Sequence, residues 1–407
     1  MARAPRRAQP LEYNILLTAV LCLLAAGAVM VYSASSSRIL LEGQGNGSTF
    51  LIKYVAYGAL GLVLMHVLAR RGIGLVLRCT SALLAAAFLL LLLVKTPLGV
   101  EVNGAQRWLG MGPLQFQPSE LMKLALVLYA VKLLASKPRT VMEARLLMPL
   151  GVVGALACGL IATQPDLGTA LVICFTLTAL LVVAGIPLRL LAGGTAVLGV
   201  LVLAFALVEP YRRARLTSFI NPWADAGGDG FQSVQGQIAL GSGGLFGRGV
   251  GESVQKAFFL PEAHTDFILA IIGEELGVLG IVVLLFLYGL IAYAGLRVAK
   301  AAASTYAKLL AAGLTAMVLC QACLNVFTVL GLAPLTGVPL PFISYGSTNL
   351  IVMLGAMGLL LNVAAGGGAH LRLVATPSRS HASGRDRSGG DSGARRSGAG
   401  GGRRATG

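Results

Sequence analysis

Charge is scarce in this chain. Only 12% of its 407 residues are Asp, Glu, Lys or Arg, against 56% hydrophobic residues, and the mean hydropathy is +0.80. A soluble domain carries roughly 25% charged residues, so that class is excluded. The apolar runs do not alternate with polar residues, which excludes a β-barrel. Cysteine is scarce too. Cys22, Cys79, Cys158, Cys174, Cys320 and Cys323 lie in or at the ends of apolar runs and imply no disulfide framework. Cys320 and Cys323 form a CxxC with neither a second pair nor a nearby His, which argues against a metal or redox centre. No cleavable signal is expected, because the first apolar run is too long and further runs follow it.

What the chain does have is long apolar runs. Crossing the hydrocarbon takes about 20 helical residues, and ten such runs occur, at 12–33, 50–69, 73–95, 118–136, 146–163, 167–185, 188–208, 266–296, 307–332 and 347–365. The expected fold is an all-α polytopic membrane protein with ten transmembrane helices. Basic residues cluster at one set of helix ends: Arg3, Arg6 and Arg7; Arg70, Arg71 and Arg78; Lys137, Arg139 and Arg145; Arg189; Arg297, Lys300 and Lys308. By the positive-inside rule both termini are cytoplasmic. Acidic residues distribute oppositely, since only Glu12, Glu143, Asp386 and Asp391 fall inside. The domain reading is a basic N-terminus over 1–11, a transmembrane domain over 12–371 with a long outer loop over 209–263 between helices 7 and 8, and a tail over 372–407. Arginines scattered among Gly, Ser and Ala in that tail suit a disordered segment on an anionic inner leaflet, not a nucleic-acid site.

Polar residues at the outer helix ends carry the unusual chemistry. Asn103-Gly104-Ala105-Gln106-Arg107-Trp108 is followed by QFQPSELMK, Gln115 to Lys123. Pro118 suits a first helical turn, and Glu120 and Lys123, three apart, are placed to pair on one face. Lys123 is an intramembrane cation, by default a functional group. Arg107 and Trp108 suit the headgroup level, as anchors or as substrate contacts. In the tight hairpin Gln164-Pro165-Asp166, Asp166 either favours the positive end of a helix or meets substrate. From Pro334 to Ser344, PLTGVPLPFIS, Pro339 and Pro341 prevent regular helix. Irregular backbone at membrane depth either packs in protein or lines a wet cavity, and a cavity on the outer side is expected.

The outer loop over 209–263 is longer than a connector needs. Arg212, Arg213 and Arg215 lie near its start, a glycine-dense stretch runs from Gly241 to Gly251, and Arg248 and Lys256 follow the first of those glycines. Glycines let backbone N–H groups approach an anion, and arginine grips phosphate in a bidentate fork. The combination suits a diphosphate or sugar hydroxyls, although no Walker spacing is present. Next, LPEAHTDFILAIIGEELG sets Glu262, His264 and Asp266 at the mouth of a membrane helix. Asp266 opens that helix, where the dipole stabilises a carboxylate that stays close to water and serves as a base. Glu274 and Glu275, two turns down on diverging faces, are expected in buried protein contacts.

In VYSAS (31–35), GAQRW (104–108), QPSELMKLAL, QPDLGTAL, NPWAD, LPEAHTDFI, EELG and PLPFISYG the chain resembles the shape, elongation, division and sporulation (SEDS) family, which includes FtsW, RodA and SpoVE. The NPW and AHTDF stretches look most like its FtsW branch. The resemblance implies a peptidoglycan glycosyltransferase that polymerises lipid II: a sugar 4-hydroxyl attacks the anomeric carbon of another chain and undecaprenyl diphosphate leaves. It implies Asp266 as the family's essential aspartate and Arg107 and Lys123 as its important cations. Around them, Glu120, Asp166, Arg212, Arg213, Arg248, Lys256, Glu262, His264 and Ser344 are the expected substrate contacts. The chain departs from the family at Gly236, where Ser is frequent, and at Ser347, where a second Gly is common.

The resemblance also implies a class B penicillin-binding protein as partner, since no SxxK, SxN and KTG set for transpeptidation occurs together in an outer part of this chain. Other division proteins, a septal role and the bacterial cytoplasmic membrane belong to the same expectation. A divalent cation, Mg or Mn, suits the diphosphate, but no ligand cluster has diagnostic spacing. Two other readings stay open: a lipid II flippase, which shares the broken helices, and a scaffold that recruits division proteins through its tail.

Overall fold

Long apolar runs fold as helices because lipid offers the backbone no hydrogen-bond partners. The computed structural model describes residues 9–41, 47–102, 104–111, 114–136, 144–194, 196, 199, 213, 218–228, 230–256, 260 and 263–367. Arg212, Arg215, Glu262, most of the expected run 188–208 and the tail over 372–407 lie outside the described residues. The helices are α1 (Leu11–Leu41), α2 (Thr49–Val94), α3 (Pro118–Ala135), α4 (Ala144–Ala162), α5 (Leu167–Ala184), α6 (Phe231–Gly243), α7 (Ile268–Ala301), α8 (Thr305–Val329) and α9 (Ser347–Ala364). Among the described residues, seven segments are long and apolar enough to cross a membrane: Leu11–Ser36, Thr49–Arg71, Ile73–Val94, Leu167–Ala184, Ile268–Ala301, Thr305–Val329 and Ser347–Ala364. Two more expected runs are the helices α3, which carries Glu120, Lys123 and Lys132, and α4, whose apolar part is Leu147–Ala162. The protein is thus a helical, multi-pass membrane protein. Its centre is α8 and α9, 78% and 89% buried, with the more lipid-exposed spans around them.

Two expected spans, 50–69 and 73–95, form one helical stretch of 46 residues in α2. A straight helix of that length would reach about 69 Å, more than twice the hydrocarbon thickness. It turns back instead. At its start the Phe50 ring packs on His264 at 4.3 Å, and just past its end Lys95 Nζ donates to Thr163 O, so both ends lie at the pole that carries Asp266. Its middle lies at the opposite pole, where Ala69 O accepts from Asn362 Nδ2 at 2.7 Å near the end of α9. The two halves that can each cross the membrane are Thr49–Arg71 and Ile73–Val94, so the chain reverses where they meet. Before it, α2 runs beside α9 closely enough that a Cβ on Gly358 would lie 2.5 Å from Met65 O, the approach that small residues permit between membrane helices.

The sequence reading expected no strand, and the structure has a small antiparallel sheet at the Asp266 pole: β1 (Gly99–Val102), β2 (Ala105–Met111) and β3 (Leu114–Phe116), in that order. Val102 pairs with Ala105 and Val100 with Trp108. Gly104, at φ 74°, serves the turn between them, and the Asn-Gly dipeptide is the strongest short-range hairpin signal. The sheet carries Arg107 and leads directly into Pro118 of α3.

One interruption shapes the long outer loop. α7 breaks at Gly277, with φ 66° and ψ −163°, a conformation that side chains resist. Residues 244–249 fill the gap: Val278 N donates to Gly244 O (3.0 Å), Leu279 N to Leu245 O (3.2 Å), Arg248 N to Glu274 O (2.9 Å) and Gly249 N to Glu275 O (3.0 Å). Backbone groups that the break would orphan are thereby paired. A Cβ on Gly247 would sit 2.1 Å from Glu275 O, so this glycine serves close approach to α7. The expectation of an anion cradle is corrected here, because the Arg248 and Gly249 amides already bind α7 carbonyls.

Candidate active site

Asp266 lies two residues before the first residue of α7, with Phe267 as the N-cap, so it precedes the helix and does not open it. Its carboxylate is half-buried, accepts from Thr265 Oγ1 at 3.1 Å and faces Gly337, whose added Cβ would lie 3.8 Å from Asp266 Oδ2. Gly337 is exposed. The carboxylate therefore sits at a rim, between a membrane helix and the proline-rich segment.

That segment is packed in protein from Val338 to Ser344, not spread along a wet cavity as expected. Pro339 and Pro341 deny it helical pairing, and side chains from three helices take over its carbonyls. Asn325 Nδ2 donates to Val338 O at 2.8 Å, Gln321 Nε2 to Pro339 O at 2.8 Å, Tyr288 Oη to Pro341 O at 2.5 Å, and Tyr54 Oη to Phe342 O. Asn325 Nδ2 also donates to Asp266 O at 2.8 Å. Gln321, Asn325 and Thr328 form a buried polar stripe on one face of α8. The sequence reading missed it, though the spacing of four and three residues places them on one helical face.

Beneath the rim, Lys123 is 2% exposed and donates to Gln321 Oε1 at 2.5 Å, while pairing with Glu120 at 2.8 Å. The expected Glu120–Lys123 pair is present. Lys123 is buried here and supports the floor through Gln321, one turn of α8 from Asn325.

A second arm runs through Arg107. Its Nε donates to Gln164 O at 3.0 Å and its Nη2 to Pro165 O. Asp166 is a buried helix cap whose Oδ1 accepts from Thr169 N at 3.1 Å. Its Oδ2 accepts from Ser119 Oγ at 3.0 Å and Gln117 Nε2 at 3.1 Å. These bonds make Asp166 a helix cap, as the capping alternative expects. The hairpin reaches the rim, because a Cβ on Gly168 would lie 2.4 Å from Thr336 O, next to Gly337.

The remaining expected contacts are occupied within the protein. Lys256 Nζ is buried and donates to Glu275 Oε1 (2.7 Å), Gly251 O (2.6 Å) and Ser33 Oγ (3.1 Å). An ammonium has three hydrogens, and these three acceptors use them, so Lys256 forms a buried tie in this structure. Ser33 of the VYSAS stretch completes it by donating to Glu275 at 2.6 Å. Glu274, as expected, is buried elsewhere, accepting from Ser253 Oγ (2.5 Å) and Val254 N (3.0 Å), with Arg248 Nη1 at 3.5 Å. His264 is buried between the Phe50 and Tyr345 rings, and Ser344 Oγ accepts from Leu340 N at 2.8 Å, so both make contacts within the protein. Burial pushes the Tyr345 hydroxyl up to about 12. Arg213 and Arg248 are exposed. Among the described residues no three His, Cys, Asp or Glu side chains come together, so the expected divalent cation finds no protein ligand set there.

A multi-pass helical protein with a half-buried carboxylate at one rim, over a buried ion pair and a proline-broken segment, defines the class. Residues 14–367 match the family model of FtsW, RodA and SpoVE, described as cell cycle protein, and the chain belongs to that family. It is 38% identical over 361 residues to the probable peptidoglycan glycosyltransferase FtsW of Trichlorobacter lovleyi, covering 87% of this chain and 94% of that one. It is 38% identical over 357 residues to stage V sporulation protein E of Bacillus subtilis, covering 86% and 96%. Among solved structures it is similar to a chain of a peptidoglycan synthase complex that coordinates polymerization and crosslinking, with TM-score 0.71, 31% identity and coverage of 86% and 96%. It is similar also to the rod shape determining protein RodA of Thermus thermophilus, with TM-score 0.64, 31% identity and coverage of 89% and 98%.

Proposed function

We propose that the chain is a peptidoglycan glycosyltransferase that polymerises lipid II, with Asp266 as its base. The observation that carries the reading is the half-buried Asp266 carboxylate facing exposed Gly337 at the mouth of a membrane span. A carboxylate in that place takes the proton from a sugar hydroxyl as its oxygen bonds to the anomeric carbon, and undecaprenyl diphosphate departs with the bonding electrons. Positive charge stabilises the leaving group. Arg107 supplies it from the β1–β2 hairpin, because among the described residues its bonds run to Gln164 and Pro165 through Nε and Nη2 and none uses Nη1. Arg248 and Arg213 add exposed charge. Lys123, Glu120 and Asp166 hold the floor and hairpin in place.

The distribution of basic residues supports an orientation with both termini in the cytoplasm and the Asp266 pole outside the bacterial cytoplasmic membrane. The similarity to a chain of a peptidoglycan synthase complex supports a class B penicillin-binding protein as the crosslinking partner, and the FtsW-named relative supports a septal role. The test is lipid II polymerisation by purified Asp266→Asn with that partner, in liposomes or detergent. The variant is expected to elute as a folded species and to make no glycan. Polymer at the unsubstituted rate ends the assignment, and lipid II crossing proteoliposomes without polymer formation favours a flippase.

A further inference from the structure

Leu245 and Phe246 are 68% and 81% exposed at the tip of the loop that enters the break in α7. Adjoining apolar side chains so exposed mark contact with a membrane or a partner, and their position favours the membrane. The carbonyls of Gly244 and Leu245 bond the amides of Val278 and Leu279, which fastens the tip to α7 immediately past Gly277. There a stripe of exposed apolar residues begins, Val278, Leu279, Val282, Val283 and Phe286, the lipid-facing side of a membrane span. Leu245 and Phe246 continue that stripe. About 30 Å of helix separates Gly277 from Arg297, which equals the hydrocarbon thickness. With Arg297 at one boundary, the tip lies at the other. Arg248, two residues further on with its side chain 43% exposed, turns to Glu274 at 3.5 Å and helps hold the tip against α7.

We infer that residues 244–249 form an interfacial lipid anchor, in which Leu245 and Phe246 enter the upper acyl region of the leaflet at the Asp266 pole. Because the Arg248 and Gly249 amides hold the carbonyls of Glu274 and Glu275, the anchor also ties the short outer piece of α7 to the bilayer boundary. The inference is independent of the proposed catalysis.

The chain has two tryptophans, Trp108 and Trp223. Phe246→Trp in a full chain carrying Trp108→Phe and Trp223→Phe gives a single fluorophore at the tip. In phosphatidylcholine vesicles its emission is expected to be blue-shifted and quenched several-fold more by bromines on the upper acyl chain than by bromines near the chain ends. Aqueous acrylamide is expected to quench it weakly. Strong acrylamide quenching without bromine quenching overturns the inference and leaves the tip in water or on a protein partner. Strongest quenching by the chain-end bromines overturns it as well. Leu245→Trp in the same background is the second probe if the first does not elute as a folded species.

Discussion

Asn325 holds the main chain of Asp266: its Nδ2 donates to Asp266 O at 2.8 Å and, from the same atom, to Val338 O at 2.8 Å. One side chain thus fixes the distance between the carboxylate and the segment facing it. Asn325→Leu leaves two buried carbonyls without this donor, at about 1–3 kcal/mol each. A misplacement of about 1 Å costs on the order of 100-fold in rate. The variant is expected to fold with a lowered Tm and to polymerise lipid II about 10- to 100-fold more slowly. Asn325→Gln is expected to recover part of the rate. An unchanged rate in Asn325→Leu removes Asn325 from the positioning role.

The Lys256–Glu275 pair is buried on both sides, with side chains 3% and 0% exposed. Removing one partner strands a charge in a dry place, which costs about 3–5 kcal/mol, whereas replacing both with apolar groups is often neutral. Lys256→Met alone is therefore expected to lower Tm sharply and to loosen the loop that holds Gly249 on α7, read as faster proteolysis within 244–256. The double variant Lys256→Met, Glu275→Leu is expected to regain most of the lost Tm. A loss in the double variant equal to the sum of the losses in Lys256→Met and Glu275→Leu alone would show that the charges act independently.

Local physics was legible in the sequence, and long-range closure was not. The apolar runs announce their helices, Glu120 and Lys123 pair at a spacing of three, and Asp166 caps α5 as its place before an apolar run suggests. Glu274 and Glu275 diverge because adjacent helical residues point about 100° apart. Lys256, by contrast, reads as a free cation until Glu275 and Ser33 are brought to it across separate elements. The glycines of 241–251 carry no mark that distinguishes an anion cradle from a strand laid on a broken helix. Gln321 and Asn325 were hidden by the apolar run around them. The sheet was announced by Asn103-Gly104 between short alternating stretches, a signal outweighed by reading the whole segment as an interfacial loop.

Tyr345 links the rim to high pH. Burial, with Tyr57 nearby, raises its hydroxyl from 10.0 to about 12, so the unfolded chain ionises first. The stability this group contributes is complete below pH about 10 and is lost as pH rises from there toward about 12. Thermal unfolding followed across that window is expected to show a steeper fall in Tm for the unsubstituted chain than for Tyr345→Phe. Parallel curves would place the hydroxyl in contact with water.

Gly236 connects the outer loop to Asp266. A Cβ there would lie 2.7 Å from Phe267 Cε1 and 3.0 Å from its Cδ1. Phe267 is 1% exposed and directly follows Asp266. Two effects oppose each other in Gly236→Ser. Replacing glycine inside α6 gains about 0.5 kcal/mol of helix propensity, while overpacking a buried ring costs about 1–3 kcal/mol. The clash is larger, so Tm is expected to fall, and a ring pushed toward Asp266 is expected to slow polymerisation several-fold. Gly236→Ala carries the same Cβ without the hydroxyl and is expected to match it. A rise in Tm for both variants would mean that the Phe267 ring yields freely, and the coupling between α6 and the carboxylate would then fail with it.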